Sequence, residues 1–396
     1  MKTPMLRIAV PGFALLSVLM MAGCSEEPPA SLYSDNYTTR PQPVVSTLNP
    51  ATTALAGVTT ITITGTNFSA VAPENQVYFD ATPATILTAG TTQLTVRAPN
   101  LVKDTVQVRV SVYKSDKYSE ARQYKLLAAV SDFGGLAKTD EPWAVTADAA
   151  GNVYVSISAS GVKKITPAGV KTDYATHAAG VTKWSAMKIG PGGVLYSARI
   201  LRVIYTTPAG GGAPAIWVTG SAIGNIYDLD FDAQGNCWAG GNNASIYRVK
   251  QDKTIKAFPF TCNARAMRVY NGYLYVGGKV DTVEGVWRAP IISADSLGAF
   301  EQYYNFSASY PGSVVNAVTF AADGDMYIGT DAAAAVVIVH PSKAAEPLYP
   351  GLFTPSTLLF TWGTGDAMYL VRTVNVPQLI KVTMLKNGAP YYGTTL

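Results

Sequence analysis

The chain has 396 residues, of which 48% are hydrophobic and only 14% are charged, against roughly 25% charged in an ordinary soluble domain. With 35 Gly and 24 Pro, this composition excludes a disordered chain and a helical bundle, and the length allows about two or three domains. The net charge of +4 comes without basic runs, so no nucleic-acid partner is expected.

Residues 1–23 are predicted to be a signal peptide. Two basic residues precede an apolar stretch, residues 8–22, that is too short to cross a bilayer and suits the hydrophobic region of a leader. The stretch ends in Met21-Ala22-Gly23-Cys24, which resembles the lipobox of bacterial lipoproteins and implies cleavage before Cys24 and acylation of its thiol. The alternative is a generic signal peptide with a chance cysteine. Residues 24–43 are then a lipidated cysteine and a flexible tether.

The residues that follow Cys24, Ser25-Glu26-Glu27, resemble the surface-export signal of Bacteroidetes lipoproteins. This resemblance implies a protein of the outer membrane that is lipid-anchored and faces the cell exterior. The expected contact with the membrane is through the anchor on Cys24.

Residues 44–127 alternate apolar and polar side chains in short runs, such as Thr60-Ile61-Thr62-Ile63-Thr64, separated by turn residues. This period of two predicts an antiparallel β-sandwich. The landmarks Leu48-Asn49-Pro50, Gly65-Thr66-Asn67-Phe68 and Leu94-Thr95-Val96-Arg97-Ala98-Pro99 resemble the immunoglobulin-like IPT/TIG family, whose members act as spacers or interaction modules. Gly65 and Asn67 are expected in a turn with positive φ, and Phe68 in the core.

Residues 128–396 contain a repeat in which a Gly or Asn turn is followed by an apolar residue and an aromatic one. The six aromatic positions are separated by 42, 42, 37, 52 and 42 residues; they are Tyr154, Tyr196, Trp238, Tyr275, Tyr327 and Tyr369. Six repeats of this length predict a six-bladed β-propeller, and the pattern resembles the NHL-type propeller. The expected fold is therefore all-β, an N-terminal immunoglobulin-like sandwich followed by a six-bladed propeller.

Binding residues are expected on one propeller face, where the loops before the first strand and between the second and third strands of each blade collect around the channel. Superposing the repeats predicts a shared position before or at the first strand of each blade: Trp143, Ser185, Tyr227, Arg265, Asn316 and Ser356, with Trp184 adjacent. The second set of loops is predicted to add Arg199, Asn243, Lys279, Asp331 and Arg372.

Such a rim suits sugars, because aromatic faces stack on pyranose rings while amides, carboxylates and guanidinium groups pair with hydroxyls, or with carboxylates if uronic acids are present. Trp143, Trp184 and Tyr227 are the candidate aromatic cluster. The alternative for each of these aromatics is a structural role, closing the channel or packing under a loop.

Catalytic and metal sites are not expected. The two histidines are His177, in a loop between the first two blades, and His340, in an outer-strand run where a structural role is expected. Glu141, Asn225 or Asn316, and Asp331 do not fall in the motif context of metal-binding propeller lactonases, so neither a metal nor another cofactor is predicted. Asp228 and Asp230 are expected to make channel hydrogen bonds, and Cys237 and Cys262 to be buried reduced thiols.

The leading hypothesis is a non-catalytic surface lipoprotein that binds a polysaccharide or oligosaccharide on the propeller face. This build resembles the surface glycan-binding proteins that accompany SusC/SusD-like importers in Bacteroidetes, which implies such outer-membrane partners. One alternative is a scaffolding subunit whose propeller docks on an envelope protein complex. A third is a propeller lyase or lactonase that uses His177 or Asp331.

Overall fold

The structure, a computed structural model, describes residues 38–353, 356–372 and 377–395. The predicted signal peptide, Cys24 and most of the predicted tether lie outside the described residues. Within those residues the regular structure is nearly all β-strand, and the single α-helix is one turn, Phe306–Ser309. No helix in this part of the chain is both long and apolar enough to span a membrane.

The N-terminal part is an immunoglobulin-like sandwich of two sheets. The sheets have the strand orders β1-β3-β7-β6 and β2-β9-β8-β4-β5. The strands are β1 Val44–Asn49, β2 Thr53–Leu55, β3 Thr60–Thr66, β4 Asn75–Phe79, β5 Thr82–Pro83, β6 Thr85–Ala89, β7 Gln93–Arg97, β8 Lys103–Val112 and β9 Arg122–Leu127. Their inward side chains, including Ile61, Ile63, Leu94 and Val108, form one closed core, which confirms the predicted period of two.

The turn prediction at Gly65 is half right. Asn67 has a φ of 62°, and Phe68 is buried in the core, as expected. Gly65, however, lies in β3 without a positive φ. A Cβ atom there would come within 1.9 Å of the Val44 carbonyl oxygen and 2.6 Å of the Phe68 ring, so the glycine serves the close approach of these two neighbours.

The described residues from Val130 onward form a six-bladed propeller, as the repeat predicts. The ring-closing strand is β10 Val130–Asp132; blade 1 has β11 Pro142–Ala147, β12 Val153–Ile157, β13 Gly161–Ile165 and β14 Lys171–Ala175; blade 2 has β15 Ala186–Ile189, β16 Leu195–Ala198, β17 Val203–Thr207 and β18 Ala215–Thr219. Blade 3 has β19 Asp228–Phe231, β20 Cys237–Gly240, β21 Asn242–Val249 and the first part of β22 Ile255–Tyr270.

Blade 4 takes the second part of β22, followed by β23 Tyr273–Val280, β24 Val283–Ser293, β25 Ser296–Leu297 and β26 Glu301–Asn305. Blade 5 has β27 Val315–Phe320, β28 Met326–Thr330, β29 Val336–Val339 and β30 Ala345–Pro347, and blade 6 has β31 Leu359–Trp362, β32 Ala367–Arg372 and β33 Gln378–Thr383. The ring closes because β10 pairs with β33 and supplies the fourth strand of blade 6.

The uneven repeat lengths have structural causes. The short interval between Trp238 and Tyr275 arises because β22 runs without a loop from the outer edge of blade 3 into the innermost position of blade 4. The long interval before Tyr327 contains the extended strand β24 and the helical turn Phe306–Ser309. Both thiols, Cys237 in β20 and Cys262 in β22, are free and buried, as expected, and burial raises the pKa of Cys262 to about 12.

Polar side chains from the innermost strand of every blade are buried at one level of the channel. These equivalent residues are Thr146, Lys188, Asp230, Arg268, Thr319 and Thr361. Asp230 accepts hydrogen bonds from the Arg268 guanidinium at 3.0 Å and from the Val269 N–H at 2.9 Å, and Asp228 accepts one from the Met267 N–H at 2.8 Å. The predicted role of the two aspartates in channel hydrogen bonding is therefore confirmed, and both connect blade 3 to blade 4.

The C-terminal segment closes the lower end of the channel. Arg268 donates to the carbonyl oxygens of Ala389 and Pro390 at 3.0 and 2.8 Å, and its guanidinium lies 3.7 Å from the centre of the Tyr391 ring. The Tyr391 hydroxyl bonds to Thr319 at 2.8 Å. Gly393 packs directly on Ile189, where a Cβ atom would lie 2.5 Å from the Ile189 Cβ. The opposite end of the channel is the one at which the first strands begin.

We expect Asp230→Ala to lower the free energy of unfolding of the propeller by about 3–5 kcal/mol, because it leaves the buried Arg268 guanidinium without its carboxylate. Denaturant unfolding followed by tryptophan fluorescence measures this directly, since all six Trp residues lie in the propeller. Asp173→Ala, which removes an exposed carboxylate paired with Lys163 in blade 1, is the matched control and should leave the unfolding midpoint unchanged. Equal effects of the two substitutions would contradict the assigned role of Asp230.

Candidate functional site at the mouth of the propeller

One residue at the start of each innermost strand stands at a β-bulge, where two residues oppose one residue of the second strand. In blades 4 and 5 the register shifts at Arg265 and Asn316, and in blade 1 it shifts between Pro142 and Val145, which includes Trp143. In the other three blades the bulge residue and the residue after it oppose the same residue of the second strand, whose carbonyl oxygen accepts the N–H of the bulge residue. These bulge residues are Ser185, Tyr227 and Leu358. A bulge redirects a side chain out of the sheet, here toward the mouth.

The position predicted for blade 6 is therefore wrong by two residues: Leu358, and not Ser356, stands at the equivalent place. The sequence contained the signal. In five blades the bulge residue precedes the repeated aromatic of the second strand by eleven residues. Leu358 stands at this interval from Tyr369. In blade 4 the interval between Arg265 and Tyr275 is ten.

These six residues surround a cavity of about 500 Å³ over the channel axis. Two loops complete its wall. The connection between blades 1 and 2 contributes residues 180–184, and the loop after β16 contributes Arg199, Ile200 and Leu201; Leu359 adds a further apolar side chain. Ile200 and Leu201 are 55% and 46% exposed, so an apolar edge lies open to solvent at the entrance.

Arg265 is held rigidly at the cavity. It forms an ion pair with the buried carboxylate of Glu284 and donates to the Val315 carbonyl oxygen at 2.9 Å. Glu284 also accepts the Val315 N–H at 2.8 Å. The guanidinium is thus fixed in direction while its charge is balanced by Glu284.

Trp143 and Lys183 form the best-defined contact at the mouth. The Lys183 ammonium nitrogen lies 3.0 Å from the centre of the Trp143 ring, a cation–π arrangement. Desolvation lowers the pKa of Lys183, and the carboxylate of Glu141 acts in the opposite direction. The Trp143 indole N–H is buried and has no hydrogen-bond partner among the described residues, so it is a donor without an acceptor at the edge of the cavity.

Trp184 also borders the cavity but exposes only 1% of its surface. Its ring packs against His177 and Tyr205, with centroid distances of 5.6 and 5.1 Å. The backbone N–H of Trp184 donates to the Ser156 hydroxyl oxygen at 3.2 Å. The indole therefore supports the loop from beneath, which is the structural alternative raised for each aromatic.

His177 lies in an adjoining cavity of about 850 Å³, on the other side of Val181 and Thr182, and does not line the mouth cavity. Its Nε2 atom is 3.0 Å from the Ser156 hydroxyl oxygen. Because that oxygen already accepts the Trp184 N–H, the hydroxyl hydrogen is available for Nε2, an arrangement that suits a neutral ring. Burial lowers the pKa of His177 below its ordinary value of 6.5.

The remaining predicted residues make local contacts outside the cavity. The Asn243 side chain binds both backbone groups of Asn225, at 2.6 and 2.9 Å, and Asp331 accepts the Val314 N–H at 2.8 Å. Arg372 donates to Gln378, and Lys279 is exposed on β23. Of the predicted rim, the mouth cavity thus brings together Trp143, Trp184, Ser185, Arg199, Tyr227, Arg265 and Asn316.

The sequence reasoning missed Lys183 and the aliphatic wall of Ile200, Leu201, Leu358 and Leu359. No carboxylate belongs to the cavity wall among the described residues. Nor do these residues contain a group of three or more His, Cys, Asp or Glu side chains placed to hold a metal ion. What the arrangement offers is an apolar surface with cationic and amide donors.

Residues 43–125 match the family model of the IPT/TIG domain. The N-terminal sandwich is an IPT/TIG domain. An auxiliary nutrient binding protein from Bacteroides ovatus is similar in structure to the chain, with a TM-score of 0.50 and 12% identity, over 87% of this chain and 99% of that one. A luciferin-regenerating enzyme has a TM-score of 0.50 and 15% identity, over 67% and 98%. These similarities concern the fold. No curated protein is significantly similar to the chain in sequence.

The two histidines are expected to titrate on opposite sides of pH 6.5. Burial lowers the pKa of His177. His340 follows the third strand of blade 5, and its hydrogen bond of 2.8 Å to Asp325, which precedes the second strand, raises its pKa. NMR of the full chain with labelled histidine rings measures both midpoints, and His340→Gln assigns them. A His177 midpoint above 6.5 would contradict the buried neutral ring.

Opposite effects on stability follow from these pKa shifts. His177 binds its proton more weakly in the folded chain, so its contribution to the free energy of unfolding decreases as pH falls from 6.5 through the lowered pKa. His340 binds its proton more tightly, so its stabilising contribution is complete below pH 6.5 and is lost as pH rises through the raised pKa. The variants His177→Gln and His340→Gln should each remove the corresponding slope.

Proposed function

We propose that the chain is a non-catalytic lipoprotein of the outer-membrane surface that binds a polysaccharide or oligosaccharide in the mouth cavity of its propeller. In this proposal Cys24 carries the lipid, the sandwich spaces the propeller from the membrane, and the protein assists a SusC/SusD-like uptake system. The observation that carries the binding role is the convergence of one bulge residue from every blade on a single cavity.

The chemistry of the cavity supports a sugar ligand. The rings of Trp143 and Tyr227, with the exposed edge of Ile200 and Leu201, offer apolar surface for the C–H faces of pyranose rings. Arg199, Asn316 and the phenol of Tyr227 offer hydrogen bonds to hydroxyls. A volume of about 500 Å³ admits a short stretch of a chain, and the mouth is open to solvent.

Two further observations support the proposal. The C-terminal segment around Tyr391 packs against Arg268 and Thr319 at the lower end of the channel, so the mouth is the open end for a ligand. A protein of the same fold from Bacteroides ovatus is an auxiliary nutrient binding protein, a role that agrees with a ligand-binding accessory. His177, the histidine of the lyase alternative, faces the adjoining cavity and not this one.

We expect the full chain to bind at least one glycan of a polysaccharide panel in affinity electrophoresis and calorimetry. Trp143→Ala and Tyr227→Ala should each weaken that binding by up to about tenfold, since a lost aromatic stacking contact costs about 0.5–1.5 kcal/mol. Tyr113→Ala, which removes a 61% exposed aromatic from the sandwich, is the matched control. Binding that is unchanged in the double variant Trp143→Ala/Tyr227→Ala would refute the site.

The scaffolding alternative predicts a different result. If no glycan binds, and a stoichiometric envelope protein co-purifies with the detergent-solubilised lipoprotein without added sugar, the propeller is a docking platform and the proposal fails. Turnover of a uronate polymer that is lost in His177→Ala would instead restore the lyase hypothesis.

A further inference from the structure

The charges that line the mouth cavity are all of one sign. Lys183, Arg199 and Arg265 contribute to its wall, whereas no Asp or Glu of the described residues does. This asymmetry is local. Elsewhere on the same face carboxylates occur, as at Asp331, where the side chain accepts a backbone N–H. The chain as a whole has nearly balanced charge, so the cationic wall is a property of this cavity.

Two of the three cations are available to a ligand. Arg265 is paired with buried Glu284, and this pair contributes little net charge. The Arg199 side chain has no hydrogen bond or ion pair among the described residues, although it is only partly exposed. Lys183 makes its contact with the Trp143 ring, which leaves its three N–H donors without a bound carboxylate.

Both available cations belong to blade 2. Lys183 lies in the connection that enters this blade, and Arg199 follows its second strand, β16. Blade 6, two blades away around the ring, presents Leu358 and Leu359, and Ile200 and Leu201 follow Arg199 in blade 2. An occupant of the cavity therefore meets both positive charge and aliphatic surface. An inorganic anion has no apolar face to pack on the aliphatic residues, and a neutral sugar has no negative charge to pair with the two cations.

We infer that the ligand is an acidic glycan, whose uronic acid residues place a carboxylate against Lys183 and Arg199 and an apolar ring face against Leu358 and Leu359. This inference rests on the proposed glycan-binding function and specifies its ligand. Water is partly excluded by the aliphatic wall, and an ion pair formed there is less screened than one on an open surface.

The test compares acidic oligosaccharides with their own methyl esters, which keep the ring and lose the charge. Oligomers of galacturonate, mannuronate and hyaluronan are titrated into the full chain by calorimetry at low and at high NaCl. The acid form of the glycan that binds should bind about tenfold or more tightly than its ester, and its affinity should fall with salt.

Arg199→Gln should lower the affinity for the acid form about tenfold, the loss expected for a hydrogen bond to a charged group, and should lower the affinity for the ester by a smaller factor, because Gln still offers a hydrogen bond to hydroxyls. Arg199→Lys should recover part of the loss. The matched control is Arg109→Gln, which removes an exposed arginine from strand β8 of the sandwich. Retained fluorescence and thermal unfolding show that each variant is folded.

The outcomes separate this inference from the function on which it rests. Neutral glycans or esters that bind as tightly as the acids, with no effect of Arg199→Gln, would overturn the acidic ligand and leave glycan binding intact. Acids that bind but respond equally to Arg199→Gln and Arg109→Gln would overturn the assignment to this cavity. If no acidic, esterified or neutral glycan binds, both proposals fail.

Discussion

The propeller depends on the buried polar side chains that its six innermost strands present to one axis. A charge without a partner in such surroundings is strongly unfavourable, so these groups must satisfy one another across blade boundaries. Asp228 and Asp230 of blade 3 accept backbone N–H groups of blade 4, and Arg268 of blade 4 binds both Asp230 and the C-terminal segment. Each of the six equivalent channel residues, Asp230 and Arg268 among them, stands three positions after a mouth residue, so the pairing that fixes the channel also fixes where the mouth side chains emerge.

Much of the fold could be predicted, because a propeller repeats one packing unit. An aromatic such as Tyr154 or Tyr327 recurs since each second strand meets the neighbouring blade at the same level. The continuous path of β22 could not be predicted, because a missing loop and a shortened strand give the same interval in the sequence. The sequence pattern predicts a turn at Gly65, yet the close approach of the Val44 carbonyl and the Phe68 ring requires this glycine, and Val44 is distant from it in sequence.

The site was predictable to the extent that it follows the repeat. Trp143, Tyr227 and Arg265 converge because they occupy equivalent positions in their blades. The narrower resemblance of the propeller to the NHL type stays a prediction. The burial of Trp184 depends on how the connection between blades 1 and 2 folds over Ser156 and His177, and loop conformations have no periodicity. Superposing the repeats predicts Ser356 for blade 6, whereas the hydrogen bond from the Leu358 N–H to the Val371 carbonyl oxygen places Leu358 at the equivalent position.

The ring-closing strand β10 also lies on the path of a pulling force between the N-terminal sandwich and the propeller. It follows the last strand of the sandwich, β9, after two residues. Its residues Val130–Asp132 pair with β33 of blade 6. The Ala129 carbonyl oxygen extends this pairing by accepting the Thr383 N–H at 2.9 Å. If the chain is held at its N-terminus and pulled through a polymer bound at the mouth, the force passes through this short antiparallel ladder. Its mechanical strength would then limit how hard a captured chain can pull before the propeller opens.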